Sequence, residues 1–254
     1  MTWQAAQAPV RVAPGDIHVW RANLADFQKD PGSESVLSED ETQRAGRFRV
    51  PQARARFTAA RSLLRFILGA CLECPPAEIR FAYRKHGKPF LAPGLFREDL
   101  RFNLSHSHGL ALYAVCTGRE VGIDLERMRA DRDHERLAAR FFSAREAARL
   151  AELPAAQRQG AFYHCWTRKE AYLKARGEGL AIPLGSFSVS LAPDEPAALL
   201  EVAGDHQEAG RWRLWSVDAG PDFAAALAAE RGPANLRFWD WSLSPLVPPS
   251  PPGS

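Results

Sequence analysis

The stretch Val121-Gly122-Ile123-Asp124-Leu125-Glu126, VGIDLE in one-letter code, governs the reading of everything around it. In a strand, side chains alternate between faces, so Val121, Ile123 and Leu125 share one face and Asp124 and Glu126 share the other. Two like charges on one face are costly unless something positive sits between them. Two readings are open from these residues alone: a half-buried strand with a solvated acidic face, or half of a hard-cation site. Upstream, Ala111 to Cys116 is a second strand-like run. The short polar stretch that follows it, with Gly118, predicts a hairpin that sets VGIDLE inside a sheet.

Working outward, Asp16 to Leu24 reads as a first strand, and Ser38 with Glu41 forms a capping box that opens a short helix. Pro51 suits a helix N-terminus, and Phe57, Ala60, Leu64 and Leu68 recur at helical spacing up to Gly69. A strand at Ile79 to Tyr83, a turn at HGKP (86–89) and the segment FNLSHSHG (102–109) come next. Beyond VGIDLE, Ser143 and Glu146 cap a helix that stops before Pro154. A longer helix is expected over Gln157 to Ala175, with Gly177 as its stop. Strands are expected at Ser186 to Leu191, Trp212 to Val217 and Leu236 to Leu243. Hairpins mixed with helices, without regular strand–helix alternation, predict an α+β fold. The Pro-rich tail 244–254 is expected to be disordered.

The chain has 254 residues, 46% of them hydrophobic, which is enough for a full core. With no apolar run long enough to span a bilayer and no signal-peptide layout at MTWQAAQAPV, a cytoplasmic, non-membrane protein is expected. Cys71, Cys74, Cys116 and Cys165 are too scattered for a disulfide framework, and the Cys71-x-x-Cys74 pair has no second pair to complete a zinc site. A formal charge of +3 does not by itself suggest nucleic acid. From Gln43 to Leu72, however, there is no acid, while Arg44, Arg47, Arg49, Arg54, Arg56, Arg61 and Arg65 fall inside. Such clustering suits a phosphorylated ligand, since a guanidinium fork matches phosphate oxygens; the plain alternative is a solvated helix face.

In FYHCWTRKEAYLK (162–174), Trp166, Glu170 and Lys174 lie on one helical stripe. Glu170 followed by Lys174 is an ordinary surface pair, but a stripe that starts with Trp166 faces protein. If Glu170 meets the acidic face of VGIDLE, three carboxylates converge. A divalent cation with oxygen ligands, Mg²⁺, is then required, with substrate phosphate completing its shell. Arg44, Arg56, Lys88, Ser105 and His106 become donors for a phosphorylated ligand. Ser105 and His106 are not a hydrolase pair, because neighbours on an extended segment point oppositely and no GxSxG turn exists. His106-x-His108 lacks a third zinc ligand. The exposed arginines of 127–140 are candidates for steering an acidic partner, although Asp131, Asp133 and Glu135 alternate with them.

Taken together, FNLSHSHG, VGIDLE and the W-x-x-KEA-x-x-K of 166–174, in this order after an Arg-rich helix and GKP, resemble the signature of the 4′-phosphopantetheinyl transferases, in the Sfp-type branch. The likeness covers Leu37 to Phe187, and His86 departs from the residue often found before GKP. It implies two similar α+β halves, 1–118 and 119–243, forming a pseudo-dimer with the active site in the cleft between them. It implies transfer of the phosphopantetheine arm of coenzyme A to a serine of an apo acyl, polyketide or peptidyl carrier, releasing adenosine 3′,5′-bisphosphate. Asp124, Glu126 and Glu170 match the metal ligands for Mg²⁺, with Mn²⁺ as a substitute. Arg44, Arg56, Lys88, Ser105, His106 and Lys174 match coenzyme A contacts, and Glu170, Lys174 and His106 carry the catalytic roles. A monomer is expected, with no nucleic acid among its partners. The alternatives are a non-catalytic coenzyme A or carrier-binding module and a metal-dependent nuclease.

Overall fold

In the computed structural model, which describes residues 1–5, 10–27, 35–94 and 99–243, the expected first strand is β1 (Asp16–Asn23), followed by the single turn α1 (Leu24–Phe27). The Ser38/Glu41 capping box opens α2 (Glu39–Gly46), and Pro51 starts α3 (Pro51–Leu72). Gly69 does not end α3; the helix runs on to Leu72 and stops where Glu73 takes the left-handed conformation at φ 55°. Gly69 is needed because a Cβ there would lie 2.8 Å from the carbonyl oxygen of Cys74, where the chain folds back over the helix end. Then come β2 (Phe81–Tyr83), β3 (Pro89–Leu91), β4 (Leu100–Ser107), β5 (Leu110–Thr117) and β6 (Val121–Arg127). The helices α4 (His134–Phe141), α5 (Ala144–Glu152) and α6 (Ala155–Arg176) follow, α6 stopping at Gly177 as expected. The chain continues through β7 (Phe187–Val189), β8 (Leu199–Val202), α7 (Glu208–Arg211), β9 (Trp212–Ser216), β10 (Phe223–Glu230) and β11 (Asn235–Asp240). The fold is α+β, as expected. The tail 244–254 lies outside the described residues.

Two compact units form, and neither is a continuous piece of chain. Among the described residues, one holds those of 2–82, 89–118 and 234–243; the other holds Met1, 83–88 and 119–233. In the first unit the sheet order is β11-β1-β5-β4, with β11 parallel to β1 and the other pairs antiparallel. The β4–β5 hairpin turns at His108 (φ 49°) and Gly109 (φ 93°), both in the positive region that a tight two-residue turn demands. Leu63, Leu64, Ile67 and Leu68 of α3 share a core with Trp20, Phe102, Tyr113 and Val115 of this sheet. Tyr113 donates its hydroxyl to Ala60 O of α3 at 3.1 Å.

In the second unit the sheet order is β6-β10-β9, with α6 packed across β6 and β10, and β7 paired with β8. The hairpin expected between Ala111–Cys116 and VGIDLE does not form. Both edges of β5 are already occupied, by β1 and β4, so the chain passes on after Gly118 and β6 pairs with β10 instead. β10 itself, FAAALAAE, was no part of the sequence expectation.

Candidate functional site

VGIDLE is a strand whose two faces are used as the alternation predicts. Val121, Ile123 and Leu125 are buried on one face. On the other, Gly122, Asp124 and Glu126 stand opposite Ala228, Ala226 and Ala224 of β10. α6 lies directly on this face. A Cβ built on Gly122 would fall 2.1 Å from the carbonyl oxygen of Ala171 and 2.3 Å from the amide nitrogen of Ala175, so only a hydrogen fits beneath the helix. Ala171, Ala175, Ala224, Ala226 and Ala228 belong to one core, and their small size lets the helix approach so closely.

That approach brings the acidic strand face to the polar stripe of α6. Lys174 Nζ donates to Asp124 Oδ1 at 2.6 Å, with Asp124 buried and Lys174 half-buried. The Glu170 carboxyl is pushed above its ordinary value, first by burial, then by the charge of Asp124 and to a lesser extent of Glu126; Lys174 offsets part of this. Asp124, Glu126, Glu170 and Lys174 therefore sense one another. Their side chains are nevertheless not drawn into a ready ligand set: among the described residues no three His, Cys, Asp or Glu side chains are placed to hold a metal ion together. The donor chemistry still suits a hard divalent cation, since three carboxylates face one ammonium and every donor is oxygen.

The other side of α6 is anchored by Lys169, fully buried, which meets Glu146 Oε2, Leu184 O and Phe187 O at 2.8, 2.8 and 2.5 Å. Trp166 packs on Phe141, Phe142 and Phe162, as expected for a stripe that begins against protein. Lys88, expected as a coenzyme A contact, turns inward: its ammonium donates to Glu120 Oε2, Ala175 O and Val121 O at 2.8, 2.8 and 3.1 Å. Glu120 also pairs with Arg84. Burial raises the Glu120 carboxyl, but the hydrogen bonds and charges of Lys88 and Arg84 outweigh it and hold the group below its ordinary value.

The remaining candidates belong to the first unit. Ser105 is buried and His106 exposed, on opposite faces of β4 as adjacent strand residues must be. Arg44 is exposed in the last turn of α2 with its guanidinium 5.5 Å from the Phe57 ring centre, and Arg56 is half-buried on α3. The arginine cluster is divided. Arg61 and Arg65 are buried and share Glu41, whose two oxygens accept from their Nε atoms at 2.5 and 2.6 Å, so these two are structural. Cys74 of the CxxC has its thiol pushed up to about 11 by burial and, secondarily, by Glu78, which leaves no thiolate near neutral pH. Within 127–140, Asp133 caps α4 by accepting from the Arg136 amide, and Arg129 pairs with Asp131 at the surface.

Glu120 and Arg84 are absent from the sequence reading, and Gly122 enters it only as a member of VGIDLE, with no role of its own. Gly122 carried a signal that went unused, because a glycine inside a strand pattern marks a close backbone approach. Glu120 carried none.

Among known proteins, the family model of the 4′-phosphopantetheinyl transferase superfamily matches residues 120–228, and that of the 4′-phosphopantetheinyl transferase N-terminal region matches 19–118. The chain is 40% identical to the 4′-phosphopantetheinyl transferase HetI of Nostoc sp., over 94% of this chain and 98% of that one. It is 29% identical to the 4′-phosphopantetheinyl transferase Sfp of Bacillus subtilis, over 80% and 87% of the two chains. Among solved structures, the holo-[acyl-carrier-protein] synthase of Thermotoga maritima covers 44% of this chain and 62% of its own, at 22% identity and a TM-score of 0.36.

Proposed function

Because this chain belongs to the 4′-phosphopantetheinyl transferase superfamily, we propose that it moves the phosphopantetheine arm of coenzyme A onto a serine hydroxyl of an apo acyl, polyketide or peptidyl carrier protein, releasing adenosine 3′,5′-bisphosphate. The observation that carries the reading is the facing of Asp124 and Glu126 on β6 by Glu170 and Lys174 on α6 across Gly122. Asp124, Glu126 and Glu170 would hold Mg²⁺, or Mn²⁺ in its place, and when bound it would neutralise charge on the pyrophosphate of coenzyme A.

The residues of the chain itself have distinct tasks. The transfer needs alignment and charge neutralisation more than an enzyme nucleophile, since the attacking oxygen arrives on the carrier serine. That oxygen forms the bond to the phosphorus on the pantetheine side, and the bond to the bisphosphate oxygen breaks. Glu170, directly or through water, takes up the serine proton. Lys174 supplies an ammonium beside the carboxylates, placed for developing negative charge on phosphate. His106 adds an exposed ring donor, Ser105 a hydroxyl, and Arg44 and Arg56 supply guanidinium groups for the phosphates of coenzyme A. The reaction is assigned to the cytoplasm and to a monomer.

The test is intact mass spectrometry of apo carrier proteins of the three classes, incubated with the protein, coenzyme A and Mg²⁺, beside samples with EDTA or the Glu170→Gln variant. A gain of one phosphopantetheine group, lost in both controls, is the expected result. No gain with any carrier, while coenzyme A still binds, would overturn transfer in favour of a binding module.

A further inference from the structure

Lys88 sits in the HGKP turn between β2 and β3, with its side chain only 9% exposed. We propose that Lys88 is a positioning residue: its ammonium clamps the last turn of α6 to the start of β6 and so holds Lys174 over Asp124, rather than binding a phosphate of coenzyme A. This inference rests on the transferase reading above, which supplies the reaction whose geometry the clamp serves.

Three acceptors surround the ammonium: Ala175 O at 2.8 Å, Glu120 Oε2 at 2.8 Å and Val121 O at 3.1 Å. A lysine has three N–H donors, and each of these acceptors can take one of them. Ala175 O is one of the last carbonyls of α6, which no helical amide reaches, and the negative end of the helix favours a cation there. Val121 O opens the strand that carries Asp124. One atom thus joins the two elements whose approach at Gly122 creates the site.

The turn is shaped for this seat. Gly177, which ends α6 at φ 73°, leaves the space against which Lys88 lies; a Cβ on it would be 3.2 Å from Lys88 Cδ. His86, the departure noted before GKP, packs in the same way on Gly179. Arg84 closes the arrangement with a second cation on Glu120, while the turn is fastened by Arg84 N to Lys88 O at 2.9 Å and Gly87 N to Arg84 O at 2.8 Å. Glu120 makes the buried ammonium tolerable, because a buried charge needs a partner.

The two roles separate in a ligand comparison. Coenzyme A and 3′-dephospho-coenzyme A are titrated calorimetrically into the wild type, Lys88→Met and Glu120→Gln with Mg²⁺ present, and kcat and KM are measured well below each melting temperature. Mn²⁺ binding is followed by electron paramagnetic resonance. A clamp predicts that both variants lose on the order of tenfold or more in kcat, with weakened Mn²⁺ binding. It also predicts that affinities for the two coenzymes change by the same factor. A loss of about tenfold for coenzyme A alone, with dephospho-coenzyme A bound as before, would overturn the proposal in favour of a direct bond to the 3′-phosphate. Where Lys88→Met is too unstable to titrate, Glu120→Gln decides, since it removes the clamp's carboxylate and leaves the ammonium able to meet a phosphate: an unchanged kcat overturns the clamp. Failure of the wild type to bind either coenzyme would instead overturn the transferase reading.

Discussion

Replacing Gly122 by alanine tests the geometry on which the site depends. The added methyl would stand 2.1 Å from Ala171 O and 2.3 Å from Ala175 N, whereas ordinary contact begins at 3.4 Å, so α6 must retreat from β6 by roughly 1 Å. Overpacking costs about 1–3 kcal/mol, and here the obstacles are helix backbone rather than the yielding end of a side chain, which places the cost near the top of that range. The alanine recovers about 0.5–1 kcal/mol by restricting the unfolded chain, leaving a net loss of about 2 kcal/mol. The retreat also carries Glu170 and Lys174 away from Asp124, so kcat should fall tenfold or more, on the scale set by a misplacement of about 1 Å. Urea unfolding followed by circular dichroism, with the carrier transfer assay run in parallel, measures both effects. Gly160→Ala is the control: it lies in the same helix with nothing within 4 Å of its added Cβ, and should stabilise by about 0.5–1 kcal/mol. A Gly122→Ala protein as stable and as fast as the wild type would refute the close seating of α6 on β6.

Three further outcomes are expected. Glu41→Gln leaves the buried guanidinium groups of Arg61 and Arg65 without their shared carboxylate and should cost about 3–5 kcal/mol, seen as a lowered melting temperature. Burial, with Asp16 and Arg237 acting in opposite senses, holds His18 neutral down to about 4 against 6.5 in the unfolded chain. Between those values the unfolded state takes up a proton that the native state refuses. Stability therefore falls by about 3 kcal/mol as the pH is lowered from 6.5 to about 4, and His18→Leu should flatten that part of a denaturation series. Finally, Lys174→Gln removes the ammonium that sits on Asp124, so Mn²⁺ should bind the coenzyme-free variant several-fold more tightly while transfer is lost; unchanged Mn²⁺ binding would mean that Lys174 does not offset the carboxylates.

Much of the fold was legible because local signals and tertiary structure agree. The two capping boxes, Pro51 and Gly177 set helix ends by hydrogen bonding and backbone freedom within a few residues, and those ends stand as read. β10 was illegible for the opposite reason. Its alanines favour helix by propensity, yet they form the middle strand of a sheet, because a helix must lie on Gly122 and its neighbours and only small side chains leave room for it. The false hairpin before VGIDLE has a similar cause. A short turn between two strand-like runs is compatible with pairing, but it says nothing about whether another strand already occupies the edge. β5 takes β4 on one edge and β1 on the other, and neither neighbour's claim can be read at Gly118.

The site divides along the same line. Asp124, Glu126, Glu170 and Lys174 could be found because residue periodicity alone puts each pair on one face, leaving a single open question, whether the faces meet. Lys88 could not be assigned in this way. A lysine in a turn declares a charge and a reach, and both suit a phosphate as well as they suit a carboxylate and two carbonyl oxygens. What decides is the position of Glu120 and Ala175, which lie far along the chain and come to the turn only because residues 83–88 fold with the second unit. Helix ends attract cations wherever they lie, so a basic residue carried over from a family pattern needs its partners located before it is given a ligand. On that criterion Lys174 is held by a carboxylate that a divalent cation would share, whereas Lys88 is held by the Glu120 carboxylate and by two backbone carbonyls at the end of α6 and the start of β6.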